Sequence, residues 1–260
     1  MRVLAKVEGP RSEPRMTCPP IEAFDELDST NAEARRRAEA GEAGPLWITA
    51  AVQTAGRGRR GRAWSTERGN LAASLLMVTD KPPAEAAQLS FVAALAACDL
   101  ADACLGAGVA RLKWPNDVLV HGAKAVGILV ESGARPDGRL WLAVGIGVNL
   151  QHAPEGLERP TAAFADHMAG TPPEPRAALD VLAAAFERWQ GAWLREGFAL
   201  IASGWTARAT GLGERCEARL PARTLHGVAE GLDSDGALRL RLDDGRLERV
   251  TAGDVFFGGV

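Results

Sequence analysis

The sequence predicts an α+β protein in which an antiparallel sheet is flanked by helices and followed by a small C-terminal β-barrel. Three observations support this prediction. Short apolar runs separated by glycine and proline turns follow residue 110, two longer segments carry apolar residues at helical spacing, and leucine alternates with charged residues after Gly211. With 260 residues, 47% of them hydrophobic, the chain is long enough to bury a sizeable core.

The first predicted elements are a helix and two strands. The segment DSTNAEARRRAEAG carries a capping box, Thr30 with Glu33, and predicts a helix over residues 30–40. LWITAAVQ predicts a buried strand that ends at Gln53, and NLAASLLMV predicts a second strand over residues 70–78. The segment between these strands is therefore a loop that joins two strands of one sheet.

Two helices enclose a meander in the middle of the chain. Apolar spacing predicts a long core helix over residues 83–105, closed by the glycines of GAG. The runs RLKWPNDVLV, KAVGILVESG and RLWLAVGIGVNL then predict an antiparallel meander. A second amphipathic helix is predicted over residues 177–195, and its buried face consists of Leu179, Leu182, Phe186 and Trp193.

The pattern changes near Thr210, where we place a domain boundary. Leu238, Leu240 and Leu242 alternate with charged residues, and Asp-Gly pairs at Asp235 and Asp244 predict tight turns. We therefore expect three parts: a flexible leader over residues 1–20, a main domain over residues 21–210 and a compact barrel over residues 211–260.

The composition is that of a soluble globular protein, with 24% charged residues, a formal net charge of -3 and a pI of about 5.9. Neither a membrane span nor a signal peptide is predicted, so we expect a cytoplasmic protein. Four cysteines lack the spacing of a metal site and are expected to be reduced thiols: Cys18, Cys98, Cys104 and Cys216.

Residues 56–62, GRGRRGR, form what we call the arginine loop, with four arginines and three glycines in seven positions. Glycines let the backbone approach a ligand, and guanidinium groups donate two parallel hydrogen bonds to a carboxylate or phosphate. On a chain without a basic excess, this favours a local anion site. From the loop alone, a solvated surface segment or a nucleic-acid-binding tract is an equal alternative.

Further polar residues lie at the ends of predicted elements. In KWPND, Pro115 fixes a turn that presents Asn116 and Asp117, an amide that can contact a base and a carboxylate that can hold magnesium. Taken alone, the pentapeptide is better explained as an ordinary turn. Lys124 begins an apolar strand, either as a surface lysine or as a charge directed into a site. Asn149 ends another apolar strand, where we expect it to face a cleft.

The segment DSTN is most simply a helix N-cap, although its hydroxyls and amide also suit an uncharged polar ligand. Covalent hydrolase chemistry is not predicted, because there is no GxSxG elbow and the histidines show neither triad nor metal spacing. These histidines are His121, His152, His167 and His226.

Taken in order, DSTN, QTAGRGRRGRAW, KWPND with KAVGILVE, and GIGVNL resemble the biotin protein ligases. Each motif is weak alone, but four in this order and spacing are specific. The resemblance covers residues 24–211 and the C-terminal segment. It implies a mixed sheet flanked by helices, related to the class II aminoacyl-tRNA synthetases, followed by a Src-homology-type barrel.

The resemblance also implies a role for each matching residue. The catalytic residues would be Lys124 and Arg59. The biotin-binding residues would be Ser29, Thr30, Asn31, Gln53, Arg57, Gly58, Arg59 and Lys124. The ATP-binding residues would be Arg60, Arg62, Trp64, Asn116, Asp117 and Asn149, with Asp117 as the candidate ligand of Mg²⁺.

The reaction implied by the resemblance has two steps, with ATP, Mg²⁺ and the substrate biotin. The carboxylate of biotin attacks the α-phosphorus of Mg-ATP to give biotinyl-5′-AMP and pyrophosphate, and a lysine of a biotin carboxyl carrier domain then displaces AMP. Arginines and Lys124 would offset the repulsion of the two anions. No protein nucleophile is assigned, and homodimerisation through the catalytic sheet is left open.

The sequence departs from the family at some points. Many bacterial members begin with a winged-helix domain, whereas about 20 proline-broken residues precede the motifs here, so we expect a monofunctional ligase without DNA binding. Ala123 stands where arginine is frequent, and Val52 where a polar or aromatic residue is frequent. A lipoate or octanoate transferase, which lacks this loop, and a nucleic-acid-binding module are the alternatives.

Overall fold

The computed structural model describes residues 19–157 and 159–258. The predicted leader, residues 1–20, therefore lies outside the described residues except for its last two. The strands of the main sheet are β1 (Ile21–Leu27), β2 (Leu46–Gln53), β3 (Leu71–Thr79), β4 (Ala110–Lys113), β5 (Asp117–Val120), β6 (Ala123–Ala134) and β7 (Leu140–Val148). The helices are α1 (Thr30–Glu39), α2 (Pro83–Ala86), α3 (Leu89–Leu105), α4 (Pro175–Glu196) and α5 (Phe198–Arg208).

The main sheet has seven strands in the order β1-β2-β3-β7-β6-β5-β4. Strands β4 to β7 form the predicted antiparallel meander, and the loop between β2 and β3 joins two neighbouring antiparallel strands, as predicted. β1 pairs with β2 in parallel, which makes the sheet mixed. The sequence reasoning made no prediction for β1 or α5.

The two faces of the sheet are covered by different helices. On β7, Leu142, Val144 and Ile146 belong to the hydrophobic cluster that contains α3, α4 and α5. The alternating residues Trp141 and Ala143 belong to a second cluster with α1. The short helix α1 therefore covers one end of this face of the sheet, and the rest of the face is available for other elements.

The residues that the helices bury on the opposite face are nearly all apolar. Phe186 of α4 contacts Trp47 of β2 edge-to-face, with 5.9 Å between ring centroids. The predicted long helix over residues 83–105 is instead two helices. At the junction, three backbone N–H groups bond to carbonyls three residues back in place of four, those of Gln88, Ser90 and Phe91. Within the described residues, Pro83–Leu105 is long and apolar enough to cross a membrane, but most of it is buried in the protein.

The C-terminal part forms a second antiparallel sheet in the order β11-β10-β9-β8-β12. Its strands are β8 (Arg215–Arg219), β9 (Thr224–Leu232), β10 (Leu238–Leu242), β11 (Leu247–Val250) and β12 (Asp254–Phe257). The predicted turns at Asp235 and Asp244 join β9 to β10 and β10 to β11. The predicted closed barrel is not found among the described residues, since β11 and β12 remain edges of the sheet.

The two sheets are joined through a shared core. The indole Nε1 of Trp114 donates to the carbonyl of Gly236 at 3.0 Å, and the ring of Phe91 packs against the same glycine. Leu238 and Leu240 of β10 belong to the same hydrophobic cluster as α3. The turn between β9 and β10 is therefore anchored in the main domain.

Replacing Phe186 with alanine tests the packing of the helical layer. Phe186 is 1% exposed, so truncation leaves a cavity, and we expect a loss of about 3–5 kcal/mol in the free energy of unfolding. The exposed Leu194 on the same helix is the matched control, and Leu194→Ala should change that free energy by about 0.5 kcal/mol or less. Denaturant unfolding of the three proteins measures both values; equal losses would contradict this account of the core.

Candidate active site

A cavity of about 490 Å³ opens on the face of the main sheet that carries α1. Its walls come from the start of α1, the arginine loop, the turn between β4 and β5, strands β6 and β7, and the start of β12. All the site residues predicted from the sequence line this cavity except Arg60. One concave site therefore brings together motifs that are far apart in the sequence.

The floor of the cavity is what we call the glycine face, formed by Gly127 of β6 and by Gly145 and Gly147 of β7. Gly127 and Gly147 are direct partners in the ladder, and the indole of Trp64 lies against both of them. A Cβ at Gly147 would lie 2.3 Å from Trp64 Nε1, and one at Gly127 would lie 2.6 Å from Trp64 Cζ3. Trp64 can therefore pack on the sheet because these strands lack side chains there.

The start of α1 differs by one residue from the predicted capping box. Ser29 is the N-cap, with extended backbone and with its Oγ accepting from the backbone N–H of Ala32 at 3.5 Å. The hydroxyl of Thr30 donates instead to Gln53 Oε1 at 3.2 Å, and Glu33 binds Arg36. The box prediction is wrong because Ser29 is the N-cap and the hydroxyl of Thr30 bonds to Gln53 at the end of β2.

A buried polar network surrounds the first turn of α1. Ser74 Oγ lies 2.7 Å from Thr30 Oγ1 and 2.6 Å from Asn31 Oδ1. Asn31 Nδ2 donates to Leu129 O at 3.2 Å and to Glu131 Oε2 at 2.8 Å. These bonds fix hydroxyl and amide groups beside Gly145, and a fixed set of uncharged polar groups suits a ligand of matching polarity.

Gln53 connects this network to the segment after the arginine loop. Its Oε1 accepts from the backbone N–H of Thr30 at 2.8 Å, and its Nε2 donates to Thr66 Oγ1 at 3.0 Å. The side chain thus holds the end of β2 against α1. The end of the cavity beside α1 is therefore polar without being strongly charged.

Ion pairs on the outer side fix the orientation of α1. Arg36 donates to both carboxylate oxygens of Asp28 at 2.8 Å, next to Ser29. The hydrogen bonds from Arg36 lower the pKa of Asp28 to about 2, against the raising effect of burial. The carboxylate therefore remains charged at any physiological pH.

The arginine loop is a short hairpin over the cavity. The backbone N–H of Gly58 donates to Arg62 O at 2.7 Å, and that of Trp64 donates to Gly56 O at 2.9 Å. Arg59 extends from its tip and donates to Asn116 Oδ1 at 3.2 Å. Burial lowers the pKa of Arg59 although the charge of Asp254 opposes the shift, and the guanidinium stays protonated.

Lys124 provides the cation on the strand side. Its Nζ lies 2.6 Å from Asp117 Oδ1 and 5.5 Å from the centre of the Trp64 ring. Arg159 Nη1 lies 3.9 Å from Asp117 Oδ2, the other oxygen of this carboxylate. Residues 19–157 and 159–258 contain no group of three or more acids, histidines or cysteines that could hold a metal ion. Asp117 is placed here as a counter-ion of Lys124.

The two asparagines predicted to bind ATP are partly engaged within the protein. Asn116 Nδ2 donates to Ile128 O while its Oδ1 accepts from Arg59, so this amide sets the position of the guanidinium. Asn149 is 2% exposed and donates to Ala162 O at 3.2 Å. Asn149 thus ties the segment around residue 162 to β7 while lining the cavity.

The arrangement has a clear chemical polarity. Ser29, Thr30 and Asn31 form an uncharged polar end, the glycine face and Trp64 form an apolar middle, and the arginine loop with Lys124 forms a cationic end. The fitting ligand has an uncharged polar head, an apolar stem and an anionic tail. The cationic end carries enough positive charge to bind a second anion beside the first.

Comparisons with known proteins agree with this geometry. The model of the biotin/lipoate A/B protein ligase family matches residues 24–150, and the model of the biotin protein ligase C-terminal domain matches residues 211–258. A biotin–[acetyl-CoA-carboxylase] ligase of Paracoccus denitrificans is 47% identical over 237 residues, which cover 89% of this chain and 98% of that protein. The chain belongs to the biotin protein ligase family.

Other members are more distant. The bifunctional ligase/repressor BirA of Bacillus subtilis is 31% identical, with 90% of this chain and 73% of that protein covered. The structure of a biotin protein ligase from Aquifex aeolicus in complex with biotin and ATP superposes with a TM-score of 0.76 at 23% identity, covering 91% of this chain and 97% of that one. The chain thus has the fold of this family.

Sequence reasoning missed several residues of the site. Ser74 is a single hydroxyl within the apolar run NLAASLLMV, and the glycines at alternate positions in GIGVN mark an open sheet face; both signals were available. Asp254 and Arg159 had no such signal, because their segments reach the cavity through the tertiary fold.

Gly147→Ala tests whether the glycine face positions the arginine loop. The added Cβ would overlap the Trp64 ring, so Trp64 must move and the loop with it. We expect tryptic cleavage after the arginines of residues 57–62 to become several-fold faster. Gly170→Ala is the control, since a Cβ there meets open space; cleavage of Gly147→Ala at the wild-type rate would refute the contact.

The ion pair at Asp28 predicts a pH dependence. Because the folded pKa is lowered to about 2, its contribution to stability is complete above the unfolded pKa of about 4 and is lost as the pH falls toward 2. An NMR titration of the Asp28 carboxyl carbon should show a midpoint near 2, which should move toward 4 in Arg36→Gln. A wild-type midpoint near 4 would mean that the pair does not form in solution.

Proposed function

We propose that this chain is a biotin protein ligase, which converts biotin and ATP to biotinyl-5′-AMP and pyrophosphate and then biotinylates a lysine of a biotin carboxyl carrier domain. The observation that carries the proposal is a single cavity with an uncharged polar end and a strongly cationic end. Membership of the family and the 47% identity to the Paracoccus ligase support the same activity.

Biotin matches the polarity of the cavity. Its ureido ring is uncharged and both donates and accepts hydrogen bonds, which suits the hydroxyls of Ser29 and Thr30 and the network around Ser74. Its valeryl chain is apolar and fits along the ring of Trp64, which itself packs on the glycine face. Its carboxylate then lies toward Lys124 and Arg59, at the cationic end.

The first chemical step brings two anions together. A carboxylate oxygen of biotin forms a bond to the α-phosphorus of ATP while the bond from that phosphorus to pyrophosphate breaks. Lys124 and Arg59 reduce the repulsion and stabilise the additional charge of the transition state. Trp64, Arg62 and the KWPND turn lie on the side left for the nucleotide.

Magnesium fits this site as part of the substrate. The sequence suggested Asp117 as a ligand, but that carboxylate is 2.6 Å from Lys124 and near Arg159, which is a poor setting for a second cation. We therefore propose that Mg²⁺ enters with the phosphates of ATP, and that Asp117 orients Lys124.

The second step requires that the carrier domain reach the bound adenylate. The amine of the acceptor lysine attacks the acyl carbon of the adenylate, the bond to the AMP oxygen breaks, and AMP leaves while the amine loses a proton. We propose that the carrier domain approaches from the side of the arginine loop. We propose a cytoplasmic location, because ATP and such carrier domains meet there.

The C-terminal sheet is best described as an open relative of a Src-homology-type barrel. β12 returns to pair with β8, and the register of β9 with β10 shifts between Arg239 and Leu240, an irregularity that increases curvature. Homodimerisation stays a prediction; the edge strands of the main sheet are β1 and β4, and Leu112 of β4 already forms a bridge with Ala209.

The activity is tested by pyrophosphate release from ATP with biotin, octanoate and lipoate in parallel, followed by intact-mass analysis of a carrier domain. We expect release with biotin and one biotinyl group on the acceptor lysine. Turnover with octanoate or lipoate in place of biotin would indicate the related acyl transferases. Inactivity with all three acids would refute the ligase proposal.

Lys124→Gln tests the proposed charge stabilisation. The substitution replaces the ammonium group with an uncharged amide on a side chain one atom shorter, and we expect the rate of adenylate formation to fall by about 100-fold or more. Lys81→Gln is the control, because Lys81 forms an exposed pair with Glu85 and should leave the rate unchanged. Near-normal release of pyrophosphate by Lys124→Gln would contradict the role of this cation.

A further inference from the structure

Three of the four arginines of the loop contact two adjacent residues of the C-terminal segment. Arg60 Nη1 donates to Asp254 Oδ2 at 2.9 Å, and Arg62 Nη2 donates to the same oxygen. Arg59 Nη2 donates to the carbonyl of Gly253 at 3.3 Å. The loop is thus held from the second sheet as well as from the main sheet.

Asp254 is well suited to hold cations. It is 8% exposed, and a buried carboxylate is stable only when it is paired. Burial raises its pKa, but the hydrogen bond and charge of Arg62 and the charge of Arg60 outweigh this, and the pKa lies below its ordinary value. The residue is therefore an anion at neutral pH, at the edge of the cavity.

The backbone of the loop is adapted to this contact. Arg60 has a φ of 56°, a left-handed conformation that is unfavourable for a non-glycine residue. Its guanidinium bonds both Asp254 and the carbonyl of Arg219. These two contacts on the second sheet explain why Arg60 points away from the cavity, unlike the other predicted residues.

We infer that Asp254 is a positioning residue that holds the arginine loop closed over the cavity, so that the C-terminal sheet takes part in retaining the reaction intermediate. The inference rests on the proposed ligase function for the nature of that intermediate. Asp254 acts through Arg60 and Arg62. When the loop is released, water enters and the adenylate escapes before a carrier lysine reaches it.

The first test measures the loop itself, in the full chain without substrates. Asp254→Asn keeps the shape of the side chain and removes its charge, and we expect several-fold faster tryptic cleavage after the arginines of residues 57–62. Asp254→Glu keeps the charge and should restore most of the protection. Glu230→Gln is the control, since Glu230 pairs with Arg241 on the same sheet and away from the loop.

Two cleavage results would overturn the inference. One is a wild-type cleavage rate in Asp254→Asn. The other is equal loss of protection in the Asn and Glu variants, which would indicate a general loss of structure in place of a role for the charge. Loss of protection in Asp254→Asn with recovery in Asp254→Glu supports the inference, and it does so whether or not the chain proves to be a ligase.

The second test measures retention of the intermediate. With biotin and ATP but no carrier domain, the wild type should release about one pyrophosphate per chain and then stop, because the adenylate stays bound. Asp254→Asn should continue to release pyrophosphate at a steady rate, several-fold above the wild type. A stop after one equivalent in the variant would overturn the inference, whereas no release by the wild type would refute the proposed function.

Discussion

The absence of side chains on part of one sheet face is the constraint on which the site depends. On β7, the residues facing α1 change from Trp141 and Ala143, which form a core, to Gly145 and Gly147, which leave room. The first turn of α1 enters the space above Gly145, and Trp64 enters the space above Gly147. One strand therefore supports a packed helix at one end and a ligand cavity at the other.

The second organising feature is the internal neutralisation of a concentrated positive charge. Asp117 contacts Lys124, and Asp254 contacts Arg60 and Arg62, so the cationic end is stable before any anion enters. The two carboxylates also orient the cations, which lowers the cost of rearrangement when a carboxylate and a triphosphate bind. Stability and catalytic preorganisation thus come from the same contacts.

The local parts of this structure could be predicted from the sequence, and the long-range parts could not. Apolar periodicity identified β2, the meander and α4, because each of these elements buries a face that is visible in its own residues. The motifs identified the cavity residues. Thr30 was predicted as the N-cap of α1, which is Ser29, and Asp254 was missed. The partners of both side chains lie 23 or more positions away along the chain. The antiparallel C-terminal sheet was predicted, but strand alternation does not determine whether such a sheet closes into a barrel, and no closed barrel is found among the described residues.

A crystal structure of the chain with biotinyl-5′-AMP bound tests the central claim most directly. The account predicts the ureido ring beside Ser29, Thr30 and Ser74, the valeryl chain along the ring of Trp64, and the acyl-phosphate within hydrogen-bond distance of Lys124 and Arg59. Finding the ligand reversed, or outside the space between the glycine face and the arginine loop, would contradict the assignment of polar and cationic ends on which the proposed function rests.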